Sequence, residues 1–116
     1  MSVVELSGTR LSEAANALVQ LKAEFYGRGP EKAKAYLNDT LLVIVLQGGF
    51  LDVEETMIER NRSDVVRDLR VVWEEELDGD IMHRIEEVTG YKVLDYHSQV
   101  LVRARTVIEL FLLASA

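Results

Sequence analysis

The chain has no cysteine and a single proline among its 116 residues. Without cysteine there are no disulfides, no thiolate metal sites, no iron–sulfur ligation and no cysteine nucleophile. Long apolar runs are missing too. The longest aliphatic stretch, Leu41–Leu46, falls far short of the roughly 20 residues a membrane-spanning helix needs. Met1-Ser2-Val3-Val4-Glu5 lacks the basic stretch and apolar core of a signal peptide, so a cytoplasmic protein without direct membrane insertion is expected. Positive charge is scarce: 13 Lys and Arg stand against 20 Asp and Glu, giving a formal charge of −7. Such a surface repels phosphate backbones, which argues against a nucleic-acid partner.

What is present is the composition of a globular domain, 48% hydrophobic and 28% charged, and the length suits one domain over residues 1–116. The acidity is concentrated. Asp52 to Val88 holds 13 acidic residues and 5 arginines, and the remainder sums to +1.

Leu11, Ala14, Ala15, Leu18, Leu21 and Phe25 recur at helical spacing and predict a helix from Thr9 to Tyr26, stopped by Gly27 and Pro30. Ala33, Ala35 and Leu37 alternate with Lys32, Lys34 and Tyr36 as in a half-buried strand. The turn residues Asn38-Asp39-Thr40 lead into a second strand, Leu41–Leu46, to form a hairpin. Asp52 with Glu55 reads as a capping box for a short helix ending near Glu59. Val66, Leu69, Trp73, Leu77, Ile81, Ile85 and Val88 form one stripe, predicting a long helix over Asp64–Thr89 that Gly79 kinks at most. Trp73 is expected in the core, as are Phe25, Tyr26, Phe50, Tyr91, Tyr96 and Phe111. Tyr91–Tyr96 and Arg105–Leu113 read as two further strands joined by His97–Arg103. The fold class is therefore α+β, in the order αββααββ, with helices on one face of a four-stranded antiparallel sheet. A KH-type RNA binder shares part of this order, but its G-x-x-G clamp is replaced by Glu59-Arg60-Asn61-Arg62-Ser63.

Gly27-Arg28-Gly29-Pro30, Asp39 in the hairpin turn, Leu41–Leu46, Glu55, Arg67, Arg70, Thr89-Gly90-Tyr91-Lys92-Val93 and the aliphatic last strand together resemble the MpsC-like family. That small bacterial domain is named for a component of a cation-translocating, membrane-potential-generating system. The likeness runs from Leu11 to Leu113. It implies an accessory of a membrane ion-translocating system with a protein partner, and it implies no catalytic residues. Two positions depart from the family pattern. Asp52 replaces the usual threonine, and Gln99–Arg105 is apolar and basic where an acidic loop is common.

Five constellations stand out in the sequence. Arg28, Lys32 and Lys34 surround the Gly27–Pro30 turn and could hold an anion, which would make the protein a small-anion or metabolite sensor. Asp80, His83 and Glu87 share one side of the long helix, the spacing of a metal half-site, although a solvated face explains them as well. Arg60, Arg62, Arg67 and Arg70 have Asp64, Asp68 and Glu74 within helical pairing distance, so ion pairs are expected there. Asp95, His97 and Ser98 lie too close in sequence for a hydrolytic relay. Val43, Ile44, Val45, Ile108 and Leu110 belong to strands that are apolar on both faces. Helices on one side of the sheet cannot cover both, so these residues are the candidate homodimer interface. The reading is a non-catalytic interaction or regulatory module without a cofactor; the alternatives are the anion sensor and an enzyme with its site across a dimer interface.

Overall fold

The computed structural model describes residues 3–115; Met1 and Ser2, part of the stretch read for a signal peptide, and Ala116 lie outside the described residues. Seven elements follow one another: α1 (Gly8–Tyr26), β1 (Lys32–Asn38), β2 (Leu41–Gln47), α2 (Asp52–Glu59), α3 (Ser63–Thr89), β3 (Val93–Leu101) and β4 (Thr106–Leu113). This is the expected α+β order. The strands form one antiparallel sheet in the order β1-β2-β4-β3, so the α2–α3 connection carries the chain to the far edge and β4 returns between β2 and β3.

Ser7 opens α1 by accepting the Arg10 N–H at 3.1 Å, and Gly27 closes it in the left-handed conformation. Asp39 adopts a positive φ in the hairpin turn, a conformation that a short polar side chain tolerates. The G-x-G-P element is built for close backbone approach. A Cβ on Gly29 would sit 3.1 Å from the Val19 carbonyl of α1, and one on Gly49 only 2.5 Å from the Gly29 carbonyl. The loop entering β1 and the loop leaving β2 are thus in direct backbone contact.

Several boundaries differ from expectation. The short helix is capped one residue earlier, where Glu54 rather than Glu55 reaches back to the Leu51 N–H at 2.8 Å. Helix α3 begins at Ser63, one residue before the expected Asp64. β3 starts at Val93 and runs through His97 to Leu101, leaving only Val102–Arg105 as the turn. Its period of two is masked because an inward position, between Tyr96 and Val100, is the polar Ser98.

The largest correction concerns α3. Its buried residues are Val66, Arg70, Glu74, Leu77, Ile81, Ile85 and Thr89. In the first half of the helix the covered face lies one residue later than the apolar stripe. Leu69 is 43% exposed and Trp73 half-buried, while Arg70 is 3% and Glu74 5% exposed. Phe25 is likewise exposed rather than core, and it meets the Tyr26 ring edge-on.

Cross-strand register separates the two faces of the sheet. Ala35, Ile44, Glu109 and Ser98 lie side by side on the face under the helices, flanked by the rows through Leu46 and Val107 and through Leu42 and Phe111. These strands pack on Ala14, Leu18 and Leu21 of α1 and Leu77, Ile81 and Ile85 of α3. Removing those apolar surfaces from water drives the layers together. Among the described residues, no helix packs on the opposite face, which carries Val43, Val45, Ile108 and Leu110.

Helix α3 runs unbroken through Gly79, where an added Cβ would meet nothing within 4 Å. Gly79→Ala is expected to stabilise the protein by about 1 kcal/mol, from helix propensity alone. A raised urea midpoint at unchanged slope checks it, and a lowered midpoint would mean that the glycine serves a bend.

Candidate functional site

Under the sheet, the covered faces of α1, α3, β3 and β4 converge on a cluster of charged and hydroxyl groups. Lys22 takes a core position one turn after Leu18 on α1 and is 2% exposed. Its Nζ donates to Glu74 Oε1 of α3 at 2.5 Å and to Glu109 Oε1 of β4 at 3.3 Å. The Tyr26 hydroxyl donates to the same Glu74 oxygen at 2.9 Å. Glu109, fully buried, also accepts from Ser98 Oγ at 2.6 Å and from the Tyr96 hydroxyl. Glu74 Oε2 is buried without a hydrogen-bond partner.

The electrostatics follow from this crowding. Burial pushes the Glu109 carboxyl above the ordinary glutamate range, and the Glu74 charge adds to that while Lys22 opposes it. Burial, then the adjoining carboxylate, raises the Tyr26 and Tyr96 hydroxyls well above the usual phenol range, so both remain donors. With Glu109 ionised, two carboxylates share one ammonium.

A second buried pair adjoins the first. Arg70 donates from Nε and Nη2 to the two oxygens of Glu54 at 2.7 and 2.8 Å, and its guanidinium lies 4.0 Å from the Phe50 ring centre. Glu54 thereby secures the start of α2 and the middle of α3 together. Its neighbour Glu55 leaves the core to meet Arg105 at 2.8 Å, which lowers its carboxyl below the ordinary range.

Beside the cluster, between α3 and β3, runs a groove of about 220 Å3. Its lining includes Val71, Glu74, Glu75, Asp78, Ser98 and Val100.

The residues singled out from sequence fare unevenly. Arg28 points toward α2, where it donates to the Phe50 carbonyl at 2.8 Å and to Asp52 at 3.3 Å, whereas Lys32 and Lys34 stand on the open face of β1. The structure does not bring the three together. His83 pairs with exposed Glu87 at 2.6 Å, and among the described residues no group of three or more His, Asp or Glu is placed to hold a metal. Of the arginines near α3, Arg62 pairs with Asp64 as anticipated, but Arg70 turns to Glu54 instead of Glu74. His97 and Ser98 point to opposite faces of the sheet. Val43, Val45, Ile108 and Leu110 share the open face; Ile44 is fully buried beside Glu109 and belongs to the other.

The cluster around Glu109 was not anticipated, although a signal existed. Glu109 occupies the inward phase of β4 between Val107 and Phe111, where a charge must find a buried partner.

Two outcomes are expected. Arg70→Met should cost about 3–5 kcal/mol, because Glu54 is left buried without its counter-charge, and Glu54→Met in the same chain should recover much of that loss in urea unfolding. A carboxyl whose folded pKa is raised contributes stability below its unfolded pKa and loses it as pH rises through the folded value. Glu109→Gln should therefore gain relative to the wild type as pH increases upward from the ordinary glutamate range; melting curves that stay parallel across that window would contradict the assignment.

A family model described as Na+-translocating membrane potential-generating system (MpsC) matches residues 7–115. No curated protein and no solved structure matches the chain. Among the described residues, no helix is long and apolar enough to cross a membrane.

Proposed function

The chain belongs to the MpsC family, and on that premise we propose that it is a cytoplasmic, homodimeric and non-catalytic interaction module, an accessory to a membrane system that generates an ion-driven potential. The observation that carries this reading is the uncovered sheet face. Leu41, Val43 and Val45 of β2 lie beside Leu112, Leu110 and Ile108 of β4, forming a continuous aliphatic strip across the two central strands. Isolated exposed aliphatics are ordinary, but a contiguous strip of six favours association.

A second copy is the occupant that fits. The strip is framed by Lys32, Lys34 and Tyr36 on β1 and by Asp95, His97 and Gln99 on β3. A two-fold axis along the strands lays β1 of one copy over β3 of the other. Lys34 then faces Gln99 and Tyr36 faces His97, with no lysine opposed to lysine, while the aliphatic strips meet. A closed two-fold pair is the commonest assembly of identical chains. The acidic α3 helices point away from that interface, and their charge opposes further growth.

Light scattering at micromolar concentration should give twice the 13.1 kDa chain mass. Leu110→Glu should return one chain mass with an unchanged circular dichroism spectrum, whereas Ile44→Glu should unfold the protein. In the host cell, deletion of the gene should lower the ion-dependent membrane potential, with rescue by the wild type and not by Leu110→Glu. A wild type that stays at one chain mass removes the dimer, and an unchanged potential removes the accessory role.

A further inference from the structure

The buried cluster contains an acceptor with nothing to accept. Glu74 is 5% exposed, its Oε1 is occupied by Lys22 and the Tyr26 hydroxyl, and its Oε2 has no partner. An unpaired carboxylate oxygen in that position is costly, because it has lost its water without gaining a donor. The same glutamate lines the groove between α3 and β3. Tyr96, His97 and Ser98 line its β3 side. Glu75 and Asp78 add negative charge on the α3 side, Val71 and Val100 supply apolar wall, and no lysine or arginine lines it among the described residues.

The charge balance of the cluster turns on Glu109, whose carboxyl is pushed by burial above the ordinary glutamate range. With Glu109 ionised, the cluster of Lys22, Glu74 and Glu109 is one positive charge short, while Arg70 and Glu54 cancel each other. A proton on Glu109 is one way to close that gap, and a monovalent cation in the groove is the other. The cation's chemistry follows from the acceptors. A metal ion asks for several oxygens converging on one point, and no such group exists among the described residues. A buried carboxylate that lines a groove together with two valines suits a directional N–H donor on an apolar stem.

We propose that this groove binds a primary ammonium carried on a short aliphatic chain, which displaces the side chains covering Glu74 Oε2, donates to that oxygen and lays its methylenes against Val71 and Val100. Two sources share that chemistry, a free alkylamine and a lysine side chain presented by a partner protein.

The experiment titrates the intact protein with n-butylammonium and, separately, with an acetylated lysine tripeptide amide. Ionic strength is held constant, and calorimetry and backbone amide shifts are followed together. Saturable one-to-one binding of either probe is expected, with the largest shifts at Ser98 and Val100. Preference for the butylammonium assigns the site to small amines, and preference for the peptide assigns it to a lysine; both support the proposal. Glu74→Gln, which puts an amide in place of the carboxylate, should weaken binding at least tenfold. Val71→Trp, a substitution on the groove rim that leaves the cluster intact, should do the same and carries the test if Glu74→Gln does not fold. Asp80→Asn, on the exposed side of α3, should change nothing. Absence of saturation by both probes overturns the proposal. So does equal saturation by sodium, potassium or tetramethylammonium, or equal weakening by Asp80→Asn, since each would mean general attraction to an acidic surface.

Discussion

One lysine shared by two glutamates holds the layers of this protein in register. Lys22 rises from the first helix, Glu74 from the third and Glu109 from the last strand, and hydroxyls of Tyr26, Tyr96 and Ser98 donate to the two glutamates. Hydrophobic burial would bring helices and sheet together in several similar arrangements. A desolvated charge tolerates far fewer, because a shift of one residue along α3 would leave Glu74 away from Lys22 and bury a carboxylate alone. The Arg70–Glu54 pair imposes the same condition on the short helix. Together they select one packing among the many that the aliphatic residues alone would permit.

The same constraint explains where the amino-acid pattern could and could not be read. Aliphatic alternation and glycine stops are local signals, so the element order, the hairpin, the extent of α1 and the antiparallel α+β architecture were legible. So was the doubly apolar character of β2 and β4, which register resolves into a covered face with Ile44 and an open face with Val43 and Val45. The candidate site was not legible in this way. Reading α3 by hydrophobicity selects Leu69 and Trp73, yet the core takes Arg70 and Glu74 one position later. Periodicity assigns charge to solvent, and only the charges on other elements reverse that assignment. Ser98 hid the second half of β3 for the same reason: a polar residue facing inward looks like the end of a strand until its carboxylate partner is known.

The two faces of the sheet therefore have different kinds of chemistry. The covered face sets one hydrogen-bonded charged cluster, which links residues far apart in sequence, within an apolar core. The open face is aliphatic and tolerant, suited to matching area rather than position. β4 serves both, since Glu109 and its neighbours Ile108 and Leu110 alternate across a single strand.

The contact between Gly29 and Gly49 bears on how this domain can change over time. Backbone touches backbone there, so the two chain segments at the base of the hairpin are sealed to each other as well as to α1. An inserted residue in either loop would have to break that seal. At the opposite end of the hairpin Asn38 and Asp39 are exposed, and the nearest backbone tie to another strand is the hydrogen bond from Leu113 N–H to the Thr40 carbonyl. Lengthening of the chain is therefore channelled to one end of the hairpin, and a lineage that elaborates this fold can do so at the Asp39 tip while its glycine base stays constant.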